Sequence, residues 1–162
     1  MNPSAIYEQS TGLLKDPTGR ILVHCYSGVS RGKNCPDFQD VPDVGPIPVG
    51  CYTAGEPEYT KPGETSEHGP YVIPLTPDPA NQMHGRGGFL LHADAVHRPG
   101  TASRGCIVTV SGKVTGDVVL FGRALREALH TYLASTGNRI QVITGPWPVA
   151  GVGSSQGQDV PT

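Results

Sequence analysis

The sequence predicts a mainly β fold: one compact domain of mostly antiparallel strands with a single packed helix near the C-terminus. Two observations predict it. The 162 residues include 22 Gly and 16 Pro spread along the chain, so many turns must separate short elements. Between those turns recur short apolar runs rich in β-branched residues, and one stretch alone carries helical periodicity. A chain of this length suffices for one domain with a continuous core. Residues 1–144 are expected to form it, with 145–162, rich in Gly, Pro, Ser and Gln, as a flexible tail.

Taken in order, residues 5–10 (AIYEQS) read as a first strand that ends at the Thr11-Gly12 turn. Residues 20–26 (RILVHCY) read as a second, bounded by the turn Asp16-Pro17-Thr18-Gly19 and by Ser27-Gly28. From 29 to 48 the chain is loop, because Pro36, Pro42, Pro46 and Pro48 remove the donors that pairing needs. A loop of that length in a compact domain points to a lid or a binding wall. Residues 49–54 form a strand, followed by a polar loop over 55–67. Residues 71–75 (YVIPL) are expected at a sheet edge, given Pro74. Residues 88–92 (GFLLH) make a buried strand with a histidine at its end, and residues 105–110 (GCIVTV) follow a tight turn as another. The helix is expected over 117–134, where Val118, Phe121, Leu125, Ala128, Leu129 and Tyr132 recur at helical spacing. Asp117 suits its N-cap and Gly137 its C-terminal stop. Residues 139–144 (RIQVIT) alternate as a closing strand.

Charge and composition exclude several classes. A formal net charge of −2 gives no electrostatic footprint for a polyanion, so nucleic acid is not an expected partner. No apolar stretch approaches the roughly 20 residues that span a bilayer. The N-terminal MNPSAIYEQSTG has neither the basic nor the apolar region of a secretory signal, so the chain is expected to start in the cytoplasm. The four cysteines, Cys25, Cys35, Cys51 and Cys106, form no CxxC pair, which removes support for a zinc ribbon or a dithiol. A His/Cys metal site fails for want of close ligand spacing, and neither metal nor cofactor is expected. Any pair among Cys25, Cys35 and Cys51 is open to bridging in an oxidising compartment. Cys106 stands apart in a Gly-flanked turn.

The chemistry lies in residues 89–108. A histidine, His92, leaves one buried strand, and Ser103-Arg104-Gly105-Cys106 opens the next. A loop that returns the chain makes these strand ends neighbours. A free thiol is only a few per cent thiolate at neutral pH, and an adjacent imidazole raises that fraction. Gly105 permits a positive φ and a close main-chain approach, so that the Gly105 and Cys106 N–H groups are candidate oxyanion donors. Ser103 either braces the turn or meets the substrate. The second imidazole nitrogen needs an orienting acceptor, for which the Ala93 carbonyl and the Asp94 carboxylate are nearest. His84 and His97 are rival bases in Gly- or Pro-rich loops. Singly, Cys106 reads as a small buried hydrophobe and His92 as an ordinary core histidine. Together they read as nucleophile and base of a thiol enzyme that transfers acyl groups.

This stretch resembles the signature of the L,D-transpeptidase (YkuD-like) family: a histidine, a loop of about a dozen residues, then Ser/Thr-His-Gly-Cys. It is more similar still to the diverged branch found as antibacterial type VI secretion effectors. Tyr26-Ser27-Gly28, Gly45-Pro46-Ile47-Pro48-Val49-Gly50 and Gly85-Arg86-Gly87-Gly88-Phe89 are further similar pieces, so the resemblance spans residues 5–144. The departure is Arg104, where the housekeeping enzymes carry histidine.

The resemblance implies an L,D-transpeptidase-like β fold and a thioester mechanism on peptidoglycan tetrapeptide stems containing diaminopimelate and D-alanine. Release to water would make the protein an L,D-carboxypeptidase; release to a D-amino acid would make it an exchange enzyme. It also implies secretion into a target cell's periplasm, with a secretion-machine component and a cognate immunity protein as partners. Arg86 and Arg104 become candidate ligands for stem-peptide carboxylates, with Arg98 weaker, and Tyr26 and Ser27 candidate cleft residues. Two alternatives stand beside this reading: a cysteine peptidase of ordinary peptides, and a wall-binding module in which Cys106 is merely buried.

Overall fold

The computed structural model describes residues 2–59, 71–95 and 98–146. Eight strands, β1 (Ala5–Glu8), β2 (Leu13–Lys15), β3 (Ile21–Ser27), β4 (Gly50–Ala54), β5 (Ile73–Pro77), β6 (Leu90–Ala93), β7 (Ile107–Gly112) and β8 (Arg139–Ile143), surround one core, with a helix, α1 (Gly122–Thr136), before the last. They close into a barrel in the order β1-β2-β3-β7-β6-β5-β4-β8. Pairing is antiparallel except for β1 with β8 and β6 with β7. The mainly β, mostly antiparallel architecture with one helix is therefore the one the turn-rich sequence predicts.

Strand alternation fills the interior. Tyr7, Leu14, Leu22, Tyr52, Ile73, Leu91, Ile107 and Ile140 all point into a single buried cluster. The α1 side chains Leu125, Leu129 and Leu133, four residues apart, join the same cluster from one helix face. The helix lies against β6, which carries His92, and β7, which Cys106 immediately precedes. Buried Arg126 ties it down, with Nε donating to the Tyr71 carbonyl at 2.8 Å and Nη1 to Thr109 Oγ1 at 3.2 Å.

Three expectations need correction. The helix begins at Gly122 rather than at residue 117, because Leu120 exchanges main-chain hydrogen bonds of 3.1 and 2.7 Å with Gly112 and so extends the β7 ladder. Val118 and Phe121, counted above as core-facing, are 71% and 63% exposed. The stop at Gly137 holds, with φ of 110° and its N–H on the Leu133 carbonyl.

Pro74 does not mark an edge, since β5 pairs on both sides within a closed barrel. Its carbonyl accepts from Gly55 at 2.8 Å, and its missing N–H falls where the β4–β5 ladder ends. Finally, β2 was not expected. Its three residues pair back on β1 and on β3, too short a run for an alternation pattern to register.

The long loop after β3 is irregular, as its prolines require, with two single 3₁₀ turns at Ser30–Gly32 and Pro36–Phe38. All four cysteines are free thiols. No helix among the described residues is long and apolar enough to cross a membrane. Of the expected tail, residues 147–162 lie outside the described residues.

Candidate active site

The strands β6 and β7 run parallel, so the chain between them crosses back over the outside of the barrel instead of making a hairpin. A parallel connection needs about a dozen residues, and 94–106 supplies them. Register then decides which side chains meet. Leu91 pairs with Ile107 and both enter the core; His92 pairs with Val108. Alternation therefore puts His92 and Val108 on the outer face, together with Leu90 and Cys106 one step back. Cys106 and His92 are diagonal neighbours on adjacent strands, about 8 Å apart at Cα by strand geometry.

The crossing loop buries this outer face. Tyr26, Val108, Ala102 and Ala95 form a second small apolar cluster under it, and His92 is fully buried. The His92 Nδ1 lies 2.7 Å from the Ala93 carbonyl oxygen. A carbonyl can only accept, so Nδ1 carries the proton and Nε2 is the basic nitrogen of the neutral ring. Asp94, the other acceptor considered, is engaged elsewhere. Its carboxylate accepts from the Tyr26 hydroxyl at 2.6 Å and from the Ala95 and Gly100 N–H groups at 2.8 and 3.0 Å. It shapes the loop.

Cys106 Sγ is partly exposed. It accepts from the Leu90 N–H at 3.3 Å and lies 3.7 Å from the Gly88 carbonyl. Burial pushes its pKa up, while the Leu90 N–H and the Arg86 charge pull it back, and the balance stays above an ordinary thiol. A thiol so placed rests protonated at neutral pH and needs a base to become a nucleophile.

The turn before Cys106 is held by hydroxyls. Ser103 Oγ donates to the Cys106 carbonyl at 2.6 Å and accepts from the Gly28 and Gly105 N–H groups at 2.8 and 3.1 Å. Those three bonds use the one donor and two lone pairs of a hydroxyl. Ser103 is thus a brace, with nothing left for a substrate, and the Gly105 N–H is occupied rather than aimed at an oxyanion. Ser27, fully buried, donates to the Gly105 carbonyl at 2.9 Å and accepts from the Ile47 N–H at 2.8 Å. Tyr26, whose hydroxyl also accepts from the Ala102 N–H at 2.9 Å, holds the loop from below. Neither Tyr26 nor Ser27 lines the cleft; of cleft lining and packing, which the sequence left equally open for them, both take packing.

Gly105 has a φ of 130°, and a Cβ there would sit 2.4 Å from Arg86 Nη2. The Arg86 guanidinium donates from Nη1 to the Gln39 and Pro46 carbonyls at 2.6 and 2.8 Å, and from Nη2 to those of Gly45 and Arg104 at 3.0 and 3.1 Å. Its Nη donors are saturated by main chain, so they do not await a carboxylate. Arg104 differs: its side chain is exposed and lines a cleft of about 220 Å³ with Pro42, Asp43, Gly85, Arg86, Gly87 and Phe89. The loop after β3 is one wall of that cleft. Asp43 went unnoticed in the sequence, which shows nothing to separate it from other loop carboxylates. His84 and Arg98 sit exposed on loops, and His97 lies outside the described residues. Among the described residues no group of three or more His, Cys, Asp or Glu is gathered as metal ligands would be.

A partly exposed thiol and a buried imidazole that share the outer face of a closed barrel are the arrangement of a candidate thiol enzyme. Residues 22–129, more than half of the chain, match the Tlde1 domain. The chain belongs to that family of type VI secretion effectors, whose members are secreted antibacterial proteins. No curated protein and no solved structure matches it.

Proposed function

We propose that this effector is a cysteine acyltransferase acting on peptidoglycan tetrapeptide stems, as an L,D-carboxypeptidase, a D-amino-acid exchange enzyme or both. The observation that carries the reading is the shared outer face of Cys106 and His92, with His92 Nδ1 anchored on the Ala93 carbonyl. That anchor leaves Nε2 as the nitrogen able to act as base, and the raised thiol of Cys106 calls for one.

His92 Nε2 takes the Cys106 proton as Sγ attacks the carbonyl carbon between diaminopimelate and D-alanine. The tetrahedral oxyanion collapses, the C–N bond breaks, and D-alanine leaves with the proton held on His92. A thioester on Cys106 remains. Water, or the amine of a free D-amino acid, then attacks the thioester carbonyl and gives its proton to His92. The C–S bond breaks and the thiol is restored. The Cys106 N–H is the main-chain donor at this turn proposed for the oxyanion, since Gly105 is engaged by Ser103. The exposed Arg104 beside the cleft suits a stem-peptide carboxylate.

Either outcome removes the acyl donors of wall synthesis, which is toxic in the periplasm of a rival cell. A producer would need a cognate immunity protein, and delivery would need a component of the secretion machine. The test is incubation of a purified tetrapeptide muropeptide with wild-type and Cys106→Ala protein, with and without added D-amino acid, read by mass spectrometry. Loss or replacement of one D-alanine by wild type alone is the expected result. Unchanged substrate with folded wild-type protein refutes the proposal.

A further inference from the structure

Arg86 is, with Arg104, one of the arginines expected to meet a substrate carboxylate, yet its Nη donors all end on main-chain carbonyls. Three of those carbonyls, from Gln39, Gly45 and Pro46, belong to the proline-broken wall of the cleft, which has no ladder of its own. The fourth, from Arg104, belongs to the turn that delivers Cys106. Two N–H groups on each terminal nitrogen meet two oxygens each, a match that the planar guanidinium provides and a lysine ammonium does not. Phe89 supports the group from one side, its ring centre 5.5 Å from Cζ. Gly105 is pressed so close that no Cβ would fit between them. The result is a fixed cation at the seam between wall and turn, near enough to Sγ for its charge to favour the thiolate.

We infer that Arg86 is a positioning residue of this site: it docks the 39–46 wall on the Cys106 turn and holds a permanent positive charge beside the nucleophile. The inference rests on Cys106 being the nucleophile of the proposed reaction. Its consequence is specific. The wall and the thiolate are set by one side chain, so cleft shape and thiol ionisation change together when that side chain changes. An exposed arginine binding substrate would leave both alone in the free protein.

The experiment reads the pH dependence of Cys106 alkylation by iodoacetamide in R86Q, R86K and wild type, following the Cys106 peptide by mass spectrometry, with folding checked by circular dichroism. R86Q is expected to shift the profile upward by about one pH unit, so that alkylation at neutral pH slows about tenfold. R86K, which keeps a charge but not the four-carbonyl fork, is expected between the two. An R86Q profile that superimposes on wild type overturns the role of Arg86 and leaves that of Cys106 standing. A wild-type profile with no ionisation step overturns both. Should R86Q not fold, R86K decides: an unmoved profile overturns the inference, an upward shift supports it.

Discussion

Replacing Ser103 with alanine removes one oxygen atom that the structure uses three times. Its hydroxyl is fully buried and joins the Cys106 carbonyl, the Gly28 N–H and the Gly105 N–H at 2.6, 2.8 and 3.1 Å. Alanine fills nearly the same volume, so cavity formation is minor and the loss is polar. Each buried group left unsatisfied costs about 1–3 kcal/mol. The sum is less than three full penalties, because the glycines on either side let the turn relax. A total of about 3 kcal/mol is expected, a large part of the roughly 5–15 kcal/mol that holds a domain of this size.

Urea unfolding followed by circular dichroism measures it. With a slope of about 2 kcal/mol/M, the midpoint should fall by about 1.5 M. The same variant should form product about a hundredfold more slowly, since a displacement of about 1 Å at the nucleophile is worth that much. The two losses belong together if Ser103 braces the turn. A variant with wild-type stability and a raised KM alone would refute the reasoning and make Ser103 a substrate contact.

Cys106→Ala should abolish product formation while its unfolding curve stays within about 1 kcal/mol of wild type, as for other partly exposed sites; residual turnover would move the nucleophile elsewhere. His92→Ala should lower the alkylation rate of Cys106 at neutral pH, and an unchanged rate would remove His92 as the base. Gly105→Ala places a Cβ 2.4 Å from Arg86 Nη2 and 2.9 Å from Phe89 Cε1 at a φ of 130°, so a loss of about 2 kcal/mol and of activity is expected by unfolding and turnover assays. Alkaline pH should destabilise the protein through Cys25, whose core thiol burial pushes well above the ordinary value. In the unfolded chain that thiol ionises near pH 8.5, so stability is full below this and falls as pH rises, by at most about 1.4 kcal/mol per unit. A Cys25→Ala protein whose urea midpoint drops as steeply between about pH 8.5 and 10 would exclude that source.

Much of the fold was legible because the signals were local. Turn residues delimit β3, β4, β6, β7 and β8, and Gly137 stops α1 where a glycine should. What escaped was non-local. The i, i+3, i+7 spacing of Val118, Phe121 and Leu125 is the same whether or not a helix continues through them. It took the pairing of Leu120 with Gly112 to break it. Pro74 has the chemistry of an edge residue, and only the closure of the barrel around it shows a ladder end instead.

The candidate site divides along the same line. Cys106 and His92 stand out because each is a reactive type beside a strand boundary, and a loop of suitable length joins them. The relative orientation of β6 and β7 is not readable in the sequence, and it sets where thiol and imidazole lie. A hairpin would have set the two strand ends face to face. The parallel crossover instead offsets thiol and imidazole by two residues and leaves the returning chain lying over them. A loop in that position must carry its own polar main chain without a ladder, which explains the density of hydroxyl and guanidinium contacts beneath it. Ser27, Tyr26 and Arg86 read in sequence as candidate substrate groups, and Ser103 as either a brace or a substrate contact, because residue type cannot tell a donor that awaits a ligand from one already satisfied. The geometry assigns all four to holding the backbone around Cys106. Arg104 and Asp43 are exposed and line the cleft. A site built this way concentrates its precision in main-chain position, so beyond the nucleophile and its base its most damaging substitutions should lie at residues that never touch the substrate.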